Sequence, residues 1–188
     1  MAKKMEEGYG TKVLMNVANA AQVDLSEFSE EKAKETRRFH ESIPVYNRTP
    51  LVDLRGLGEK LGVKGIYVKN EAERFGMKAF KGLGGTYAMF RILCRELGLD
   101  PGKVDFSEFQ KEEIREKTAK YTFVTATDGN HGKGVSWASG LFGARAYIYM
   151  PKGTVKAREE AVRQAGPAEV TVTDWNYDDT VKYAKKMS

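Results

Sequence analysis

Residues 121–143 read "YTFVTATDGNHGKGVSWASGLFG". The opening run, rich in β-branched and aromatic residues, predicts a strand, and the glycine-rich turn after it opens into a stretch of helical character. The same rhythm continues downstream. "RAYIYM" at 145–150 is a strand, "KAREEAVRQAG" at 156–166 a helix, "AEVTVTD" at 168–174 a strand and "YDDTVKYAKKM" at 177–187 a helix. Strand and helix alternate with short connections, which predicts an α/β fold: a parallel sheet covered by helices on both sides, in three αβα layers. The last helix should feed a further strand, so the sequence reads as an architecture cut before completion.

Upstream the pattern is less regular. Residues 1–28 are weakly patterned and read as an arm. Ser29 followed by Glu30 and Glu31 predicts the start of a helix, "SEEKAKETRRFHES", whose apolar side is limited to Ala33 and Phe39. Pro44 and "RTPLVDL" impose extended backbone, "GLGEKLG" predicts a short helix, and "GIYVKN" a strand. The loop "EAERFGMKAFK" then delivers the chain into a helix over 83–97. There Leu83, Tyr87, Phe90, Cys94 and Leu97 recur at helical spacing and predict one buried face. "SEFQKEEIREK", with Ser107 as its cap, predicts a second amphipathic helix.

Composition narrows the functional classes. Of 188 residues, 41% are apolar and 30% charged, which describes an ordinary soluble globular chain. No apolar run approaches the length that spans a bilayer, and the start "MAKKMEEGYG" has no secretory core. The lone cysteine, Cys94, permits no internal disulfide and fits a reducing cytoplasm. Thirty-one Lys and Arg against 26 Asp and Glu give a net charge of +5, spread along the chain with no basic block, so a nucleic-acid partner is not expected. His40 and His131 with one cysteine cannot assemble a usual zinc set, and no metal is expected.

The turn "TATDGNHGKG" at 125–134 follows a strand and opens a helix, where free N–H groups and the helix dipole suit an anion. Gly129, Gly132 and Gly134 run G-x-x-G-x-G, which is not the dinucleotide fingerprint, and Lys133 is followed by Gly134 rather than Ser or Thr, so the turn is no Walker loop. A second glycine-rich turn, "AFKGLGGTYA" at 79–88, places Lys81 beside Phe80. Lys81 reads either as a solvated lysine at a helix start or, if partly buried among apolar groups, as an amine nucleophile for a carbonyl. Asp128 reads either as a turn residue or as a functional carboxylate. Lys78 and Lys133 are rival lysines.

"FGMKAFKGLGGTYA", "TATDGNHGKGVSWA" and "IYMPKGT", with "TPL" at 49–51 and "NYDDTV" at 176–181, resemble the N-terminal half of the diaminopropionate ammonia-lyases. These are pyridoxal-phosphate enzymes of the tryptophan-synthase-β-like fold, fold type II. The likeness runs from about Phe39 to the last residues. It implies pyridoxal 5'-phosphate as cofactor, Lys81 as the residue that binds its aldehyde covalently, Phe80 packed near it and Asn130 on its phenolic oxygen. It implies a substrate carboxylate at Thr127, Gly129 and His131. Asp128, where the related serine and threonine dehydratases usually carry a small neutral residue, would attract the second ammonium of a diamino acid or act as a base opposite Lys81. The implied reaction is α,β-elimination of 2,3-diaminopropionate to pyruvate and ammonia in a cytoplasmic homodimer. Residues 1–82 would belong to an incomplete large domain and 83–188 to a small αβα domain lacking its last strand, and the chain alone would be inactive. The alternatives are a serine or threonine dehydratase of the same fold and a non-catalytic binding domain.

Overall fold

The computed structural model describes residues 24–188. The arm expected over 1–28 lies outside the described residues up to residue 23, and within 24–28 the chain makes one 3-10 turn, Ser26–Phe28. The elements are α1 (Glu30–Glu41), β1 (Leu51–Asp53), α2 (Arg55–Leu61), β2 (Tyr67–Lys69), α3 (Lys81–Leu97), α4 (Glu112–Thr118), β3 (Thr122–Ala126), α5 (Asn130–Phe142), β4 (Arg145–Met150), α6 (Lys156–Ala165), β5 (Glu169–Val172) and α7 (Tyr177–Lys186). Residues 34–188 form one compact unit. As expected, Ser29 caps α1: its hydroxyl accepts the Lys32 N–H at 3.3 Å.

β3, β4 and β5 form a parallel sheet in that order, with Thr122 opposite Arg145 and Tyr147 opposite Glu169. Alternate residues of a strand face opposite sides, and β4 shows what covers each. Ile148 faces α5, where a Cβ on Gly132 would meet its methyl at 3.2 Å. The next residue, Tyr149, meets Tyr183 of α7 edge-on at 5.0 Å. Val162 of α6 is fully buried in the same core as Ile148 and Val170. The three layers are therefore α5 and α6, the sheet, and α7. β1 and β2 form a separate antiparallel pair, Val52 opposite Val68, whose residues are exposed on both faces.

α3 packs against α5. Its buried residues are Gly82, Thr86, Met89, Phe90, Leu93 and Cys94. The stripe is rotated from the expected one: Leu83, Tyr87 and Leu97 flank it, because glycine and threonine make the closest contacts and carry little hydrophobic signal. Phe90 stacks on Phe39 at 4.2 Å and meets Phe109 edge-on at 5.6 Å, and Phe109 meets Phe142 at 5.1 Å. These rings join α1, α3, the 3-10 turn Phe106–Gln110 and α5 in one core. Expected as one helix capped by Ser107, 107–117 is instead this turn and α4, broken at the extended Lys111; the cap is Asp105, which accepts the Ser107 N–H at 2.9 Å.

The α3–α5 contact is close enough to need glycine. A Cβ on Gly134 would lie 2.9 Å from the Lys81 carbonyl oxygen and 3.2 Å from the Gly82 nitrogen, and one on Gly85 would lie 3.4 Å from the Gly134 carbonyl. The obstacles are backbone atoms, which cannot swing aside. Gly134→Ala should therefore push the start of α3 off α5 and cost roughly 1–3 kcal/mol, read as a lowered denaturation midpoint; an unchanged midpoint would contradict the contact.

Candidate active site

β3 ends under a turn that its own next residue holds closed. Thr127, 2% exposed, continues the sheet by donating its N–H to the Tyr149 carbonyl at 2.9 Å. Its hydroxyl oxygen accepts the N–H groups of Gly129 and Gly132, both at 3.0 Å. Gly129, at φ +156°, lies in backbone territory that favours glycine. The turn thus places Asp128 and Asn130 at the surface, on either side of the buried Gly129, and starts α5 at Asn130. Thr127 and the Gly129 amide, which the sequence groups with carboxylate binding, are bonded to each other beneath the turn.

Lys81 is the first residue of α3, and the Gly134 contact sets it beside this turn. With Asp128, Gly129, Asn130, Lys133, Ala157, Arg158 and Ala161 it lines a cleft of ≈ 540 Å³. On its other side it borders an apolar cavity of ≈ 420 Å³ between α3 and β3, shared with Phe80, Met89, Phe123 and His131. Packing around the His131 ring, and secondarily the Lys81 charge, hold the imidazole below its ordinary value, which favours the neutral form. Six of the seven residues picked out in the sequence, Lys81, Asp128, Asn130, Gly129, His131 and Phe80, therefore line one or the other of two openings that share Lys81, and Thr127 lies beneath them.

Of the two readings that the sequence leaves for Lys81, the structure shows the exposed one, and Phe80 beside it is 58% exposed. Of the rival lysines, Lys133 lines the same cleft but donates its ammonium to the Met77 carbonyl at 2.6 Å, and Lys78 is exposed and lines neither opening.

The loop that delivers Lys81 is anchored by a group the sequence reading missed. Arg74, 4% exposed, gives Nε to Glu71 Oε2 and Nη2 to Glu71 Oε1, both at 3.0 Å, and Nη1 to the Asn47 carbonyl at 2.7 Å. Thr49 donates its hydroxyl to Glu71 at 2.6 Å, and the guanidinium lies 5.3 Å from the Tyr46 ring centroid. The hydrogen bonds from Arg74 are the main reason that the Glu71 carboxyl falls to about 2. The next residue, Phe75, takes a left-handed φ of +51° and stacks on Trp137 of α5 at 4.4 Å. The i, i+3 spacing of Glu71 and Arg74 was the available signal. His40 braces the helix itself: it is buried and donates Nε2–H to the Leu83 carbonyl at 2.9 Å, and desolvation lowers its pKa.

An exposed primary amine, a carboxylate, a carboxamide and the start of a helix, gathered at the end of a parallel strand, can hold an anionic carbonyl compound and move protons beside it. Among the described residues no cluster could hold a metal ion, and no helix is long and apolar enough to cross a membrane.

Known proteins carry the same arrangement of sequence and fold. Diaminopropionate ammonia-lyase of Escherichia coli (strain K12) is 50% identical over 155 residues, and that of Salmonella typhimurium 47% over 154; in each case the match covers 82% of this chain and 38% of the relative. The crystal structure of the E. coli enzyme in complex with D-serine superposes with a TM-score of 0.78 at 45% identity, over 86% of this chain and 40% of that one. The chain thus spans well under half the length of the relatives it matches. The family model described as pyridoxal-phosphate dependent enzyme matches residues 43–188. That match takes in β1 to α7 and both openings at Lys81, and the chain belongs to the pyridoxal-phosphate dependent enzymes, with the fold type II architecture.

Proposed function

We propose that this chain serves the α,β-elimination of 2,3-diaminopropionate, with one water, to pyruvate and two ammonia, as part of a protein of its relatives' full length. The observation that carries the reading is the placement of Lys81 and the Asp128–Asn130 turn on one cleft. The residues fit the cofactor's aldehyde end: a primary amine with no hydrogen bond or ion pair among the described residues, a carboxamide beside it, and a cleft whose cations outnumber its carboxylates. Lys81 would bind the aldehyde and Asn130 the phenolic oxygen, with Phe80 near the ring. Pyridoxal phosphate, when bound, supplies an electron sink for the pair released at Cα.

The chain's own residues do the rest. The Lys81 amine, once free, is placed to take the Cα proton on its own face. Asp128 offers a carboxylate to the substrate's second ammonium or to a Cα proton on the opposite face. The two enantiomers present that proton on opposite sides, so two bases would let both react; the complex of the E. coli relative with D-serine supports access for a D-amino acid. His131, favoured neutral, can accept a hydrogen bond at the substrate. Thr127 holds the turn on which these groups stand. The division proposed for the chain puts residues 1–82 with a large domain and 83–188 in a small αβα domain. A homodimer in the cytoplasm completes the reading; the buried thiol of Cys94, pushed up to about 12 chiefly by desolvation, is an inert packing group.

Incubation with pyridoxal phosphate followed by borohydride reduction and peptide mapping should place the phosphopyridoxyl group on Lys81. Labelling of Lys78 or Lys133 in its place, or none at all, would overturn the assignment. In ammonia-release assays of the holoenzyme across D- and L-2,3-diaminopropionate, serine and threonine, Asp128→Asn should cut turnover of the D-diamino acid by about a hundredfold or more and that of the L form far less. Equal losses would remove the second base.

A further inference from the structure

Two primary amines line the cleft at the 127–131 turn, Lys81 and Lys133. Lys133 is the fourth residue of α5, near the helix end whose free N–H groups and dipole disfavour a cation. Its ammonium reaches away from that end to the Met77 carbonyl, 2.6 Å off. A charged donor makes this bond stronger than one between neutral groups.

Met77 is where the loop that delivers Lys81 is gripped from both sides. Its side chain is buried against the start of α3, where a Cβ on Gly82 would overlap the Met77 methyl. Its carbonyl shares a peptide plane with the N–H of Lys78, which takes a left-handed φ of +56°, a conformation that is costly for any residue with a Cβ. That turn aims the chain at Phe80 and Lys81. Two residues before Met77, Phe75 is also left-handed and stacks on Trp137. Lys133 and Trp137 are four apart on α5 and so share a face. One helix face therefore holds the loop twice, through an aromatic contact at Phe75 and a charged hydrogen bond at Met77.

We propose that Lys133 is a positioning residue for the cofactor lysine. By clamping the Met77 carbonyl it keeps the strained Lys78 turn from relaxing, and so presents the Lys81 amine to the aldehyde of pyridoxal phosphate. The same bond engages the second amine of the cleft and leaves Lys81 as the one that meets the aldehyde. This assignment rests on Lys81 as the cofactor lysine and gives a role to the residue that the sequence sets as its rival.

The test compares wild-type chain with Lys133→Met, close to lysine in length but without a donor, and with Lys133→Arg. Each is incubated with pyridoxal phosphate over a range of concentrations, reduced with borohydride and peptide-mapped. Amide spectra of the isotope-labelled chains verify folding and report on the Lys78 N–H, whose peptide the clamp holds; Lys133→Gln replaces the Met variant if that one does not fold. Lys133→Met should need roughly tenfold more pyridoxal phosphate for half-maximal labelling of Lys81 and should shift the Lys78 amide. Arginine donates to a carbonyl but forms no bond to the aldehyde, so Lys133→Arg should restore most of the labelling. If the folded Lys133→Met chain labels Lys81 at the wild-type concentration, the clamp is overturned and the assignment of Lys81 stands. If Lys133→Arg labels as poorly as Lys133→Met, the bond to Met77 is not what presents Lys81, and the clamp is again overturned. If the wild-type chain does not label at Lys81, the cofactor reading fails and this assignment with it.

Discussion

The site depends on a place where two helices touch through their backbones. Gly134 of α5 lies so near the Lys81 carbonyl that a single added carbon would fall 2.9 Å from it. That contact fixes the first turn of α3 against the first turn of α5. The one begins with Lys81 and the other follows the Asp128–Asn130 turn, so residues about fifty apart in sequence reach one cleft. The close approach needs no polar partner: α3 and α5 satisfy their own backbone groups, and the missing side chains let them meet.

Around this contact the structure supports each half of the site separately. The turn is held from below by the Thr127 hydroxyl, which frees the side chains of Asp128 and Asn130 to face the cleft. The Lys81 side is held by the Arg74–Glu71 pair, whose arginine is buried, and by the stacking of Phe75 on Trp137, which ties the delivering loop to α5. His40 adds a hydrogen bond to the Leu83 carbonyl, one turn into α3. A buried ion pair is weak evidence for stability but fixes geometry well when its hydrogen bonds are satisfied. Here both Glu71 oxygens and three nitrogens of Arg74 have partners.

Much of this was legible in the residues. The alternation after Tyr121 has a strong period and short connections, and β3 to α7 follow it closely. The glycine turn at 129–134 and the lysine at 81 could be singled out because glycines at a strand-to-helix junction have few other uses. Less legible were features set by tertiary packing. The buried stripe of α3 is rotated toward Gly82 and Thr86, since close contacts between helices select small residues that a hydrophobic pattern overlooks. Lys81 and Phe80 are both exposed, and no local rule gives that. Asp105 displaced Ser107 as a cap because a side chain two residues ahead of an amide closes the turn as well as one expected at the start. Glu71 and Arg74 offer only an i, i+3 spacing, and the fold alone shows that Arg74 is buried.

The most direct measurement is a set of proton–proton contacts in the isotope-labelled chain between the Lys81 side chain and the residues at the start of α5. Contacts from the Lys81 ε-protons to Asn130 or His131 are the result required by the glycine contact. If both sets of resonances are assigned and no contact joins them, while Lys81 shows the averaged shifts of a lysine in bulk water, the lysine and the turn do not share a site.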